Sequence, residues 1–214
     1  MAAPSSVIRY DSSVDDVTAF VLTGGRSSRM GSDKALLSWA GETLLERTVG
    51  IAHQACGQVF ICGSRKRYGQ FGEVIEDAEL GRGPLSGIQA ALHATQTDLN
   101  LILSVDLPLM TVEFLAWLLQ QARSGEQSIT APESQRQLQP LCAVYRRGFG
   151  LVAEESLLED KNKVDALFAS VKTRIIEEEE LAAQGFSAEM FQNLNTPEEW
   201  KHAMVEIAKT KAKT

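Results

Sequence analysis

The chain is 214 residues long, 44% hydrophobic and 23% charged, with a formal net charge of −7. That size holds one α/β domain with a substantial core, or at most two small domains. The acidic balance argues against a broad nucleic-acid face, and no apolar run approaches the roughly 20 residues that span a bilayer. A local basic site for a small anion remains open.

Met1 to Asp16 has no basic start followed by an apolar block, so it reads as a flexible leader rather than a secretory signal. Val17 to Leu22 reads as a buried strand. It runs straight into Leu22-Thr23-Gly24-Gly25-Arg26-Ser27-Ser28-Arg29-Met30-Gly31-Ser32-Asp33-Lys34. The spacing then predicts a helix over Thr43 to Cys56, with Leu45, Val49, Ala52 and Cys56 on one face, and a strand over Gln58 to Cys62. A short strand follows at Glu73 to Glu76, a helix at Leu85 to Thr95, and the most apolar strand at Leu99 to Val105. In the helix predicted over Thr111 to Arg123, Leu115, Leu118, Leu119 and Ala122 share one face. This alternation predicts an α/β, three-layer, Rossmann-like fold: a mostly parallel sheet with helices on both faces.

The second half is less regular. Ser128 to Ala131 and Gln139 to Arg146 read as strands of a crossing ribbon beside the ligand. Phe149 to Leu158 and Val164 to Ser170 read as helical, and Thr173 to Glu177 as a last strand. Glu177 to Glu180 reads as a solvated helix start. Thr196-Pro197-Glu198-Glu199 is a further helix start, with Trp200, Ala203, Met204 and Ile207 as its apolar face. Residues 17–208 form a single domain on this reading, followed by a basic tail at 209–214. Cys56, Cys62 and Cys142 suit neither a disulfide framework nor a zinc site, which points to a reducing cytoplasm.

Four segments carry the chemistry. In the first loop, Gly24 and Gly25 let backbone approach a ligand, exposed amides form an anion-binding concavity, and Arg26, Arg29 and Lys34 add positive charge. The spacing fits neither G-x-x-x-x-G-K-[ST] nor G-x-G-x-x-G, so this is neither an ATPase P-loop nor a dehydrogenase turn. Asp106, in Ser104-Val105-Asp106-Leu107-Pro108, lies at a strand's carboxyl end, where open α/β sheets bind ligands. A carboxylate there is poised to hold Mg²⁺ against phosphate oxygens; the plainer alternative is a turn-capping aspartate. Asp77 is a second acid at a strand end. Gly83-Pro84-Leu85-Ser86-Gly87 opens a helix whose amides face a base edge or phosphate, unless it is a simple helix entry. His53, His93 and His202 all fall in predicted helices and read as structural or exposed.

Together these segments resemble the small nucleotidyltransferases that build molybdenum cofactor dinucleotides, with the best match to the molybdenum cofactor guanylyltransferases of the MobA type. That family carries L-A-G-G-x-S-x-R-M-G-x-D-K after its first strand. The resemblance continues through Val74 to Asp77, Gly83 to Gly87, Val105 to Pro108, Gln139 to Tyr145 and Phe191 to Pro197. It implies a nucleotidyltransferase fold with a nucleotide-binding half at 17–110 and a molybdopterin-binding half at 111–208. It also implies that Leu22, Thr23, Gly24 and Gly25 contact the nucleotide with Gly83 and Pro84, that Lys34 lies on its phosphates, that Asp77 helps select guanine, and that Asp106 ligates Mg²⁺. Asn193 and Asn195 would line the pterin side. Three positions depart from the pattern. Thr23 replaces an alanine; Cys62 stands where asparagine is frequent; and an expected basic pair falls at Asn162-Lys163, leaving Lys163, with Lys161 as a substitute.

The implied reaction joins the terminal phosphate of molybdopterin to the GMP part of GTP and releases pyrophosphate. The attacking oxygen is already charged, so alignment and charge relief by Asp106-bound Mg²⁺, Lys34 and Arg29 replace a strong general base. The implied partners are GTP and molybdopterin, with transient contacts to other molybdenum cofactor proteins and recipient enzymes, and neither nucleic acid nor membrane. Two rival readings stay within the enzyme class: a CTP-dependent cytidylyltransferase and a sugar-phosphate nucleotidyltransferase. A noncatalytic nucleotide-binding scaffold is the rival from another class.

Overall fold

The computed structural model describes residues 16–24, 33–76 and 82–193. Its centre is β1 (Val17–Leu22), all six residues of which are buried. Such a run has no solvated face to alternate with, so it needs partners on both edges and cover on both faces. It pairs in parallel with β4 (Gln58–Cys62) on one side and β6 (Leu99–Ser104) on the other. Beyond β4 lies the short parallel strand β5 (Val74–Ile75).

The other half of the sheet adds β9 (Cys142–Arg146), β7 (Ile129–Ser134) and β10 (Thr173–Ile176), giving the order β10-β7-β9-β6-β1-β4-β5. On this path β9 is antiparallel to both neighbours, whereas β7 and β10 are parallel to each other. The ribbon expected from Ser128 to Ala131 and Gln139 to Arg146 is therefore built into the main sheet. Only β8 (Gln137–Leu138) extends β7 as a separate hairpin. The strand within Gln139 to Arg146 starts at Cys142, because Gln139 to Leu141 form a turn whose Gln139 carbonyl accepts from the Cys142 amide at 3.0 Å.

Helices cover both faces. On one side α1 (Leu44–Ala55) and α4 (Val112–Arg123) pack over Val17, Ala19, Val21, Leu101 and Leu103. On the other, α3 (Pro84–Ala94) and α5 (Phe149–Leu158) pack over Phe20, Leu22, Ile102 and Tyr145. Helix α1 begins where the sequence predicts, with a reciprocal capping box. The Thr43 hydroxyl accepts from the Glu46 amide at 3.1 Å, and the Thr43 amide donates to Glu46 Oε2 at 2.7 Å. That backbone hydrogen bond holds the Glu46 carboxyl below its ordinary range.

Three short elements escape the periodicity: the hairpin of β2 (Ser38–Trp39) and β3 (Glu42–Thr43), and α2 (Arg65–Tyr68). Val164 to Ser170 is not a helix but a 3₁₀ turn at Asp165–Leu167 followed by further turns. Val164 and Phe168 are buried there without a continuous helix. The Glu177 to Glu180 run does start a helix, α6 (Glu178–Ala183), and Glu180 pairs with Arg174. Asp16, at the end of the expected leader, is tied to Arg123 at 2.8 Å.

At the amino ends of β1 and β6 the half-buried Thr97 ties the buried Thr18 and Asn100 into one polar network. The Thr97 hydroxyl bonds Thr18 Oγ1 at 2.8 Å, and the buried Asn100 amide donates to the carbonyls of Thr97, Asp98 and Tyr145. Among the described residues, no helix is long and apolar enough to cross a membrane. The predicted helix start at Thr196 and the tail at 209–214 lie outside the described residues.

Candidate active site

Leu22, Thr23, Gly24 and Asp106, four of the expected site residues, follow the ends of β1, β4 and β6. Leu22 is in register with Cys62 on one side and Ser104 on the other. Two bonds continue the pairing past the strands: the Val105 amide donates to the Leu22 carbonyl at 3.1 Å, and the Thr23 amide donates to the Cys62 carbonyl at 3.3 Å. Asp106 therefore emerges beside Thr23 and Gly24. The half-buried Asp106 carboxylate is oriented by Ser104, whose hydroxyl donates to Oδ1 at 2.6 Å. This is a short charge-assisted bond, and it leaves Oδ2 for a ligand.

The polar groups of this junction divide their work. Leu22 turns its side chain into the core against α3, where a Cβ on Gly87 would lie 3.4 Å from Leu22 Cδ2. The Thr23 hydroxyl, like its amide, donates to the Cys62 carbonyl, at 2.9 Å. Gly24 is exposed, with φ +88°, a conformation that glycine adopts without a Cβ penalty. Threonine fits in place of alanine at position 23 because position 63 is glycine. A Cβ there would stand 2.5 Å from Thr23 Oγ1 and 2.9 Å from Tyr68 Cε2. The Cys62 side chain is buried, and it is its carbonyl that serves the site.

Lys34 opens a 3₁₀ turn, Lys34–Leu36, and is half-buried. Asp33 caps that turn, with Oδ1 accepting from the Ala35 amide at 3.2 Å and Oδ2 accepting from the Tyr68 hydroxyl at 2.7 Å. Gly25, Arg29, Asp77 and Asn195 lie outside the described residues.

Gly83 caps α3 with φ +86°, Pro84 follows at the first helical position, and the Ser86 hydroxyl donates to the Gly83 carbonyl at 2.9 Å. The segment is thus a well-formed helix entry, and both Gly83 and Pro84 are exposed at it. A Cβ on Gly83 would lie 3.9 Å from the carbonyl oxygen of Asn162, so the exposed Lys163 follows directly on a neighbour of Gly83. Arg82 strengthens this approach by donating to the Leu157 carbonyl and pairing with Asp160 at 3.3 Å. Asn193 comes from the opposite packing layer. It is exposed two residues after Phe191, whose ring packs edge-on against Phe114 at 5.4 Å. His53 is exposed on α1, and His93 of α3 faces Glu154 of α5 at 3.6 Å. His202 lies outside the described residues.

Three contributors went unnoticed in the sequence. Arg47 of α1 donates through Nε to the Pro108 carbonyl at 2.7 Å and through Nη2 to the Met110 carbonyl at 3.5 Å, gripping the turn after Asp106. Tyr68 and Gly63 pack around Thr23. A glycine directly after a strand was the available signal for Gly63; Arg47 and Tyr68 act over long sequence separations.

The donor set suits a hard divalent cation. Asp106 offers carboxylate oxygen at the mouth of the sheet, and no group of three or more His, Cys, Asp or Glu gathers among the described residues. Mg²⁺ is typically held in this way, by one or two carboxylates with substrate phosphates and water completing its shell.

Comparison with known proteins places the chain as a whole. A protein of Pelotomaculum thermopropionicum named "probable molybdenum cofactor guanylyltransferase" is 35% identical over 190 residues, covering 88% of this chain and 92% of its own length. A protein of the same name from Carboxydothermus hydrogenoformans is 29% identical, over 88% of this chain and 95% of its own. The fold is that of the solved molybdopterin-guanine dinucleotide biosynthesis protein A from Archaeoglobus fulgidus. There the TM-score is 0.78 at 23% identity, covering 90% of this chain and 99% of that one. The family model of the MobA-like NTP transferase domain matches residues 19–176, from the middle of β1 to the end of β10. The chain belongs to the MobA-like NTP transferase domain family.

Proposed function

We propose that this protein transfers GMP from GTP to molybdopterin, forming molybdopterin guanine dinucleotide and releasing pyrophosphate. The observation that carries the reading is the Val105–Leu22 hydrogen bond, which sets Asp106 beside the exposed Gly24 at the carboxyl ends of the central strands. Relatives of matching length that bear the guanylyltransferase name support the choice of base.

On this reading the backbone at Gly24 and Gly25 receives the nucleotide, Gly83 and Pro84 with Asp77 face its base, and Lys34 and Arg29 neutralise its phosphates. Lys163, Asn193 and Asn195 hold the pterin partner. An oxygen of the molybdopterin phosphate forms a bond to the α-phosphorus while the bond to the β-phosphate bridging oxygen breaks, and pyrophosphate leaves with that electron pair. The nucleophile is already anionic, so the protein's task is in-line placement and charge relief, not proton abstraction. A Mg²⁺ ion held by Asp106 would supply Lewis-acid charge stabilisation at the phosphates. Three buried cysteine thiols suit a cytoplasmic setting.

Incubating the full chain with Mg²⁺, molybdopterin and either GTP, CTP or ATP, and measuring pyrophosphate release, tests the reading. GTP-dependent release is the expected result. Release with CTP alone would make the enzyme a cytidylyltransferase, and GTP binding without release with any of the three would overturn the molybdopterin reading in favour of a sugar-phosphate nucleotidyltransferase or a scaffold.

A further inference from the structure

Tyr68 joins parts of the chain that are distant in sequence. It closes the four-residue helix α2, is only 5% exposed, and fills the space over Gly63 together with the Thr23 hydroxyl. Its own hydroxyl donates to Asp33 Oδ2 at 2.7 Å, across 35 residues of sequence. The other Asp33 oxygen accepts from the Ala35 amide. Arg67 reaches the same Oδ2 at 3.4 Å, but its side chain is largely exposed and adds little. Burial first, and the Asp33 carboxylate second, push the Tyr68 phenol above its ordinary pKa, so it remains a proton donor through the neutral range.

We propose that Tyr68 is a positioning residue for Lys34: by donating to Asp33 it fixes the turn that carries the lysine against the end of β1, and so sets the affinity for the nucleotide's phosphates. The inference rests on the reading of Lys34 as a phosphate ligand. Two physical effects support it. A lysine is a flexible point charge, and anchoring its backbone lowers the ordering cost of placing that charge. In addition, Asp33 is an anion directly before the cation that must meet phosphate. With both oxygens engaged, by an amide and a phenol, Asp33 is held in the cap of the turn that carries Lys34.

The test compares Tyr68→Phe, Asp33→Ala, their double variant and Lys34→Ala in the full chain. It uses GTP binding with Mg²⁺ by calorimetry and steady-state rates with molybdopterin. Phenylalanine keeps the ring packing over Gly63 and removes only the hydroxyl. The expected result for Tyr68→Phe is a rise of roughly three- to tenfold in Kd and KM for GTP, less than the full worth of a hydrogen bond to a charged group because the hydroxyl acts on the lysine only through Asp33. Its kcat and its KM for molybdopterin should stay within twofold of the parent. The double variant should bind GTP no worse than Asp33→Ala alone, because both changes remove the same link. Parental GTP affinity in Tyr68→Phe, fully additive losses, or an equal rise in both KM values would overturn the inference while leaving the phosphate role of Lys34 intact. Unchanged GTP affinity in Lys34→Ala would instead remove that role, and this inference with it.

Discussion

Arg47 Nε donates to the carbonyl of Pro108 at 2.7 Å, so helix α1 on one face of the sheet holds the turn that follows Asp106 at its edge. The guanidinium also reaches the Met110 carbonyl and stands 3.9 Å from Glu42. One side chain thus spans two carbonyls of the same turn. Arg47→Ala is expected to lower stability by about 1.5–3 kcal/mol, the range for hydrogen bonds from a charged donor. It should also raise the Mg²⁺ concentration needed for half-maximal rate. Arg47→Lys should recover only part of either loss, since an ammonium cannot fork to both carbonyls. Urea unfolding and a metal titration of the rate check the two effects separately.

Asp106 and Ser104 are expected to separate in their effects. Asp106→Asn removes the anionic donor and should reduce turnover on the order of 100-fold or more while leaving the thermal midpoint nearly unchanged. Ser104→Ala leaves the carboxylate but frees its orientation, and should cost on the order of tenfold. An Asp106→Asn enzyme with parental rates in limiting Mg²⁺ would remove this residue from the metal site.

Gly63 is expected to be intolerant of a side chain for a reason that can be relieved. Gly63→Ala sets a Cβ 2.5 Å from Thr23 Oγ1 and 2.9 Å from Tyr68 Cε2, and overpacking of this kind costs about 1–3 kcal/mol. Adding Thr23→Ala removes the closer of the two clashes. Denaturant unfolding should therefore show the double variant more stable than Gly63→Ala alone, the reverse of what two independent losses would give.

Alkaline pH should weaken the fold through Cys56. Burial, the largest influence, pushes its thiol from an ordinary 9.0 up to about 12. A folded pKa raised above the unfolded one means that the unfolded chain loses its proton first. The stability this thiol contributes is complete below pH 9 and falls by about 1.4 kcal/mol per pH unit between pH 9 and 12. Cys142, raised even further by its burial, acts in the same direction. Equilibrium unfolding from pH 8 to 11 should show the decline, and Cys56→Ala should make it shallower.

Much of this architecture is legible in the sequence because buried strands declare themselves. Val17–Leu22 and Gln58–Cys62 have the bounds their apolar runs predict, and the helix expected over Thr43 to Cys56 is α1, Leu44–Ala55. Direction is another matter. Nothing in the composition of Cys142–Arg146 says that it runs against its neighbours, since four of its five residues are buried as in a parallel strand. Val164 and Phe168 have helical spacing, yet a 3₁₀ turn and further turns bury the same side chains without a helix. At the candidate site, the place of Asp106 just after the most apolar strand is legible in the sequence. Arg47 and Tyr68 were not, because each acts on a residue more than 30 positions away, and local pattern carries no trace of such pairs.

The lone reversed strand of the path has an architectural effect. With β9 turned around between β6 and β7, the strands of both halves still run the same way, and their carboxyl ends open on one edge. On the proposed function, two substrates could be met by loops from different halves without either having to pass around the sheet. At the opposite edge Thr97 ties Thr18 to Asn100 and so holds the amino ends of β1 and β6 together. Loop length there, as at the exposed Gly57 between α1 and β4, is free to drift in evolution or to accept a graft, while the reacting edge keeps its spacing.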